Sequence, residues 1–155
     1  MKPRCRLKPV RNPEKMRAWC GPGALSILTG NRVEYCAKKI AKLRNHGRRK
    51  GWWTAKRVRG CGNFEMRYIL DHMGYEMIGL HDYQCKGKTL QGWINTYSSK
   101  HHRAICLVNV TEHYVVTHLG QVNDNRTKRP CPVEEHHSRR CFIDNVWIVR
   151  KRRKS

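Results

Sequence analysis

Negative charge is scarce in this 155-residue sequence. Only 11 Asp and Glu residues accompany 33 Lys and Arg residues, which gives a formal net charge of +22. This excess is far larger than solubility requires, and it predicts contact with a polyanion, most often nucleic acid. The charge balance therefore indicates a kind of partner and leaves the chemistry of the protein open.

Long apolar runs are missing as well. No stretch reaches 18 apolar residues, so we expect no membrane span. The opening segment MKPRCRLKPV lacks the apolar core of a signal peptide. We therefore expect a protein of the cytoplasm that is not secreted and keeps its thiols reduced, and a viral or phage protein in a host cytoplasm or a virion fits the same features.

Closely spaced cysteines are absent, although the chain has eight cysteines, at positions 5, 20, 36, 61, 85, 106, 131 and 141. Zinc fingers and ribbons need close ligand pairs, so we predict no metal site and no cofactor. The pairs His101-His102 and His136-His137 look like metal ligands, but adjacent strand residues point to opposite faces, and we interpret them as solvated loop residues. Apart from Cys20, we assign the cysteines to packing or to the surface.

The rest of the composition favours one globular domain. The sequence is 39% hydrophobic and has five Trp and six Tyr, and its length suffices for one packed core. We expect a single domain over 1–150, followed by a basic tail over 151–155 that is too charged to pack. The oligomeric state stays open.

Hydrophobic periodicity predicts helices first and strands afterwards. Residues 1–18 are interpreted as an extended basic lead-in, and residues 44–62 as a basic loop interrupted by glycines. This order indicates an α+β fold in which N-terminal helices pack on a C-terminal antiparallel sheet. Helices are predicted over 20–28, 31–43, 64–73 and 89–97, and strands over 75–80, 104–110, 113–119, 121–124 and 142–149.

The segment RAWCGPGALSILTG (17–30) places Cys20 at the start of a predicted helix. Unpaired N–H groups and the positive end of the helix dipole favour an anion there, so the pKa of the thiol should be lowered. The Cys20 N–H is a candidate oxyanion donor, and we expect Gly21 and Gly23 to let a substrate backbone approach. The alternative is that Cys20 is a small buried hydrophobe, as free cysteines usually are.

A nucleophilic thiol needs a base, and the segment EHYVVTHLGQVNDN (112–125) supplies candidates. His113 begins a predicted strand, and a tight hairpin at the following Leu-Gly pair would place it opposite Asp124 or Asn125. Either side chain would fix the tautomer of the imidazole, although Asp and Asn are also ordinary turn residues.

Two further sets of residues are kept in reserve. His118 lies on the same predicted strand but faces the other side of the sheet, so it is the reserve base. Asp144 and Asn145 repeat the Asp-Asn pair and are the fallback for the residue that orients the base.

The order CGPGAL, HYVV and DN resembles that of papain-like cysteine peptidases, and most closely the small bacteriocin-leader-processing (double-glycine) peptidases and their phage-encoded relatives. The resemblance covers about residues 12–149 through short motifs. It implies a papain-like fold, with Cys20 as nucleophile, His113 as base and Asp124 or Asn125 as the orienting residue. That family usually has a Gln about six residues before the cysteine to complete the oxyanion hole. Glu14 takes that position here, and Asn12, the nearest upstream amide, is the candidate to replace the Gln as oxyanion donor.

Two functions follow as expectations. The first is a cysteine peptidase-like hydrolase that cleaves an amide or peptide bond of a peptide or protein through a Cys20 acyl-enzyme. The second is a weak or inactive papain-like fold that acts as a basic nucleic-acid-binding or virion-associated protein. Glu14 favours the second, since losing one oxyanion donor costs roughly 10²–10³ in rate.

A basic loop with two tryptophans is the candidate nucleic-acid site. Single-stranded nucleic acid is bound by cationic tracks combined with stacking aromatic rings. The alternative is that the tryptophans belong to the core and the cations to a solvated face. The candidate residues are Arg48, Arg49, Lys50, Trp52, Trp53, Lys56, Arg57 and Arg59.

Overall fold

A computed structural model describes residues 4–10, 19–46, 51–80, 85–96, 103–127 and 129–153. Within these ranges the chain has an α+β fold with four α-helices and an antiparallel sheet, as predicted, and the sheet has six strands, one more than expected. None of the described helices has the length and apolar character needed to cross a membrane. The helices are α1 (Cys20–Thr29), α2 (Val33–Asn45), α3 (Asn63–His72) and α4 (Leu90–Thr96), and the strands are β1 (Tyr75–Gly79), β2 (Cys106–Val110), β3 (His113–His118), β4 (Gln121–Asn123), β5 (Cys131–Pro132) and β6 (Ile143–Lys151).

The strand order of the sheet is β1-β6-β2-β3-β4-β5, and every neighbouring pair is antiparallel. The long strand β6 pairs with both β1 and β2, so the early strand β1 joins the sheet at one edge. The sheet is therefore not purely C-terminal. Strand β5 could not be predicted, because a two-residue strand is too short to produce an alternating pattern.

Two hydrophobic cores lie on the two faces of the sheet. Buried residues of α1, α2 and α3 cluster with Leu107 and Val116, whereas those of α4 cluster with Val108 and Val115. Adjacent strand residues point to opposite faces, so α1–α3 cover one face and α4 covers the other. Leu25, which is fully buried, contributes roughly 1.5–3 kcal/mol by leaving water.

Helix α1 is the central helix of the larger core. Its residues 21–27 are all buried, and it packs against both α2 and β3. It ends at Gly30, whose φ of 78° lies in the left-handed region that glycine adopts without strain. The helix thereby points its first residue, Cys20, at the beginning of β3.

The basic C-terminal segment contacts the rest of the protein over more residues than expected. Lys151 is the last residue of β6 and pairs with Tyr75, and the Arg152 side chain forms an ion pair with Asp71. The prediction of an unpacked tail over 151–155 is therefore wrong at these two residues, because β1 and a nearby carboxylate give them partners. Residues 154 and 155 lie outside the described ranges.

The N-terminal lead-in also contacts the sheet where it is described, over residues 4–10. Leu7 belongs to the larger core. The Lys8 carbonyl accepts a hydrogen bond of 2.7 Å from the Asn123 side chain. The segment is irregular, as predicted, and it is fixed to β4 by this contact.

Candidate active site

Cys20 is the first residue of α1, as the sequence predicted. Trp19 precedes it in an extended conformation and makes no side-chain cap. The helix begins with a 2.8 Å hydrogen bond from the Gly23 N–H to the Trp19 carbonyl. The thiol thus lies in the first turn, where backbone N–H groups have no partner within the helix and favour a negative charge.

The surroundings of Cys20 stabilise a thiolate. Burial raises the pKa of the thiol, but a hydrogen bond from the His113 side chain, backbone donors at Tyr114 and Gly21, and the His113 charge outweigh it, so the pKa of Cys20 is lowered. Where burial outweighs the hydrogen bonds it has the opposite effect, since it raises the pKa of Cys36 to about 11 and that of Cys106 to about 12. A helix N-terminus and a neighbouring imidazole are the surroundings that lower the pKa of reactive cysteines.

His113 links Cys20 to a carboxylate. Its Nε2 lies 2.7 Å from Oδ2 of Asp124, which leaves Nδ1 for the contact with the Cys20 thiol. Burial lowers the pKa of His113, but the hydrogen bonds to Asp124 and Cys20 and their negative charges raise it to about 9. A lowered thiol pKa next to a raised imidazole pKa favours a thiolate–imidazolium pair at neutral pH.

The contact between His113 and Asp124 is diagonal, not directly across the ladder. In the β3–β4 hairpin Val116 pairs with Asn123, and continuing this register would put Asp124 opposite Val115. Val115 and His113 point to the same face of the sheet and are neighbours on it. The Asp124 carboxylate therefore contacts its diagonal neighbour, His113. The predicted direct opposition is wrong, because the register of the hairpin places Asp124 two positions away from the point opposite His113.

The Asp124 carboxylate is fully buried, and its Oδ1 is held by the following turn. Backbone N–H groups of Arg126 and Thr127 donate to Oδ1 at 3.0 and 3.1 Å, and the Thr127 hydroxyl lies 3.2 Å away. Asp side chains commonly accept hydrogen bonds from nearby backbone N–H groups in turns of this kind. It fixes the plane of the carboxylate and directs Oδ2 toward His113.

Three imidazoles surround Oδ2 of Asp124. His113 and His137 each place Nε2 at 2.7 Å, and His136 places Nε2 at 3.4 Å. Burial raises the pKa of Asp124, but the hydrogen bond to His113 and the nearby imidazoles of His136 and His137 hold it far below its usual range. Asp124 is therefore an ionised group throughout the neutral range.

The prediction of solvated loop residues is wrong for His136 and holds for the exposed His137, and the expectation that the two point to opposite faces is wrong for the pair. His136 is fully buried, and both side chains point at the same oxygen of Asp124. They follow a short 3₁₀ helix, Val133–Glu135, so the alternation of a strand does not apply to them. His101 and His102 lie outside the described residues.

The two glycines that follow Cys20 serve the packing of the protein itself. A Cβ at Gly23 would lie 2.7 Å from Cβ of Asn125, and a Cβ at Gly21 would clash with Cβ of Cys61. Their expected role in admitting a substrate backbone is therefore wrong. Gly23 instead lets the turn that carries Asp124 approach the start of α1.

The remaining candidates for base and orienting residue lie elsewhere. Asn125 packs its Cβ beside Gly23, and the adjacent Asp124 provides the bond to His113. His118 is buried, and its Nδ1 accepts the Arg6 N–H at 2.9 Å. Asn145 pairs with Asn109 between β2 and β6. For the oxyanion hole, the Cys20 N–H lies in the first turn of α1, and Asn12 and Glu14 lie outside the described residues.

Only some of the described residues in the predicted nucleic-acid-binding loop are exposed. Trp52 is 55% exposed, but the Arg57 guanidinium lies 4.5 Å from the centre of its ring. Trp53 packs against the larger core, and the Arg44 guanidinium lies 4.5 Å from the centre of its ring. Arg59 lies 5.6 Å from the Trp19 ring, beside the start of α1, and Lys56 is exposed. Arg48, Arg49 and Lys50 lie outside the described residues.

A second basic surface was missed by sequence reasoning. A cleft of about 720 Å³ lies between α2, α3 and β1. We call it the α2–α3 cleft, and the charged and aromatic residues lining it are Tyr35, Lys39, Lys42, His46, Tyr68, His72, Tyr75 and Lys151. They come from four separate segments, so no local pattern could have revealed it.

Comparison with known proteins adds no relative to this picture. No protein-family model, no curated protein and no solved structure matches the chain.

Proposed function

We propose that this protein is a papain-like cysteine hydrolase that cleaves an amide bond, with a peptide bond as the leading target. One observation carries the proposal: the Cys20 thiol, at the start of a helix, is hydrogen-bonded to His113, whose other ring nitrogen lies 2.7 Å from the buried Asp124. Such a relay of nucleophile, base and orienting residue is what acyl transfer through a thioester requires.

The proposed reaction has two halves. The Cys20 thiolate attacks the carbonyl carbon of the substrate, and the electron pair of the C=O bond moves to oxygen, where backbone N–H groups of the first turn of α1 stabilise it. The C–N bond then breaks, and His113 gives its Nδ1 proton to the leaving amine. Water attacks the resulting thioester and loses a proton to His113, which releases a carboxylic acid and restores the thiolate–imidazolium pair.

Asp124 acts in both halves by holding the imidazole. Its bond to Nε2 directs Nδ1 of His113 at the sulfur, and its negative charge stabilises the imidazolium. Because its pKa lies far below the usual range, Asp124 stays ionised and takes no proton itself.

Peptide cleavage tests the proposed hydrolase. We expect the protein to cleave members of a peptide library in ¹⁸O-water with one ¹⁸O in each new carboxylate, and Cys20→Ser to abolish this cleavage. Cys141→Ser, at a half-buried cysteine outside the site, is the matched control and should retain it. The proposal is wrong if no member is cleaved and iodoacetamide labels Cys20 no faster than Cys141.

The α2–α3 cleft favours a second candidate function, the binding of single-stranded nucleic acid. Tyr35 and Tyr68 are exposed in the cleft, Tyr68 stacks with His72 at 4.1 Å, and Lys39 lies 5.3 Å from the Tyr35 ring. Among the described residues that line it, none carries a carboxylate. Cations beside exposed aromatic rings suit phosphates beside stacked bases.

Salt dependence tests this second candidate. We expect the affinity for a single-stranded oligonucleotide to fall steeply with salt, and the double variant Lys39→Gln/Lys42→Gln to lower the log–log slope by about 1.4, since each phosphate contact contributes roughly 0.7. Lys86→Gln/Lys88→Gln, which removes two charges elsewhere, is the control and should weaken binding less. Equal slopes for the two double variants would remove the cleft as the binding site.

A further inference from the structure

The histidine cluster around Asp124 contains more than a catalytic relay needs. His113 Nε2, Asp124 Oδ2 and His137 Nε2 all lie within 4.8 Å of one another. Both nitrogen–oxygen distances are 2.7 Å. A relay uses one imidazole on the carboxylate, so the second, His137, has no task in the reaction described above.

The chemical types of these three atoms match the ligand set of a transition-metal site. Two imidazole nitrogens and one carboxylate oxygen, with a fourth position for water, are ligands that Zn²⁺ accepts in tetrahedral geometry. Ligand atoms around tetrahedral zinc stand about 3.3 Å apart, given bonds of about 2.0–2.1 Å. Each nitrogen would need to withdraw from the oxygen by about 0.6 Å, which small side-chain rotations supply.

Asp124 and His137 already have hydrogen-bond partners on their other polar atoms. Asp124 Oδ1 accepts the Arg126 and Thr127 N–H groups, and this leaves Oδ2 as the ligand atom. The other ring nitrogen of His137 lies 3.1 Å from the Ser138 hydroxyl. Partners of this kind fix the orientation of metal-bound carboxylates and imidazoles.

His136 supplies an independent observation. It is fully buried, and its Nε2 points at Asp124 Oδ2 from 3.4 Å without a partner at ordinary hydrogen-bond length. Its Nδ1 accepts the Ser138 N–H at 3.0 Å, so the proton is on Nε2 and His136 is a donor rather than a ligand. The Nε2–H of His136 can move to hydrogen-bond distance from Asp124 when a metal ion replaces the protons of His113 and His137.

We propose that His113, Asp124 and His137 bind a divalent transition-metal ion, Zn²⁺ foremost, and that this ion switches the thiol site off. The ion replaces the Nε2 proton of His113, which leaves to solvent, while the Nε2 proton of His137 moves to Nδ1 beside Ser138. Metal-bound His113 then cannot shuttle a proton between Cys20 and a leaving group. The switching rests on the proposed function, whereas the binding of the ion does not.

Cobalt and zinc titrations of the full chain test the site. We expect Co²⁺ to give the visible bands of a four-coordinate nitrogen–oxygen site at one equivalent, and Zn²⁺ to displace it. His137→Gln should weaken Co²⁺ binding by about 100-fold or more, and Ser138→Ala by about 10-fold, since outer partners contribute 10–100-fold. His72→Gln, at an exposed histidine, is the matched control and should leave binding unchanged.

The outcomes separate the metal site from the hydrolase. Cys20→Ser is expected to keep the Co²⁺ spectrum, so an inactive protein can still confirm the site. The site is wrong if sulfur-to-cobalt charge-transfer bands dominate, or if folded Ser138→Ala and His137→Gln both bind like the parent. The switch is wrong if Zn²⁺ binds at one equivalent yet leaves the alkylation rate of Cys20 unchanged, or if a chelator fails to restore it.

Discussion

Replacing Asp124 by alanine is expected to lower the free energy of unfolding by about 3–5 kcal/mol, the range seen when one partner of a buried charged pair is removed. The substitution leaves the Arg126 and Thr127 N–H groups without their acceptor. It also leaves His113 and the fully buried His136 without their negative partner. Urea unfolding followed by circular dichroism measures the loss.

Two variants make the Asp124 result specific. Asp144→Ala removes an exposed carboxylate and should change the free energy of unfolding by no more than about 0.5 kcal/mol. Asp124→Asn keeps an oxygen that can accept the hydrogen bonds of the turn, but it removes the charge beside His113. Its free energy of unfolding should therefore fall by less than that of the alanine variant. A loss for Asp124→Ala no larger than that for Asp144→Ala would contradict the structure around the carboxylate.

The pH dependence of stability follows from the same contacts. The pKa of Asp124 is lowered on folding, so its stabilisation is complete above the unfolded value of about 3.9 and is lost as the pH falls toward the folded value. The pKa of His113 is raised to about 9, so its stabilisation is complete below the unfolded value of about 6.5 and is lost as the pH rises through 9. The stabilising contributions of Asp124 and His113 are therefore both fully present between about pH 4 and 6.5.

Sequence reasoning succeeded where the information is local. Cys20 at the start of α1 and His113 at the start of β3 follow from helix and strand periodicity and from nearby turn residues. Asp124 and Asn125 could not be separated, since the choice depends on where β4 ends and how the chain turns there. A change of one position in a ladder alters which side chain reaches the base.

Contacts between distant segments could not be read from the sequence. His137 meets Asp124 only because a 3₁₀ helix returns the chain to β4. Gly23 is needed because a turn about a hundred residues away packs against it. Lys151 extends β6 because β1 is its neighbour, although charge alone predicted a free tail there. Charge and composition describe a segment, whereas these contacts depend on its partners.

Replacing His113 by alanine is expected to slow the alkylation of Cys20 at pH 7 by about 10–100-fold. The imidazolium holds the pKa of the thiol below its usual value, and without it burial raises that pKa, so a much smaller fraction of Cys20 is thiolate at pH 7. The parent rate should stay flat with pH from the lowered thiol pKa up to about 9, the pKa of His113. The variant rate should instead climb tenfold per pH unit through neutrality.

Iodoacetamide labelling from pH 5 to 10, read by peptide mass spectrometry at Cys20, measures both profiles. His72→Ala is the matched control, because His72 is an exposed histidine on α3, and its profile should follow the parent. Cys141 in the same samples reports any general change in folding, since its rate should not depend on His113. If the His113→Ala profile coincides with the parent profile, the thiolate is stabilised by the helix N-terminus alone, and His113 is not the partner that activates Cys20.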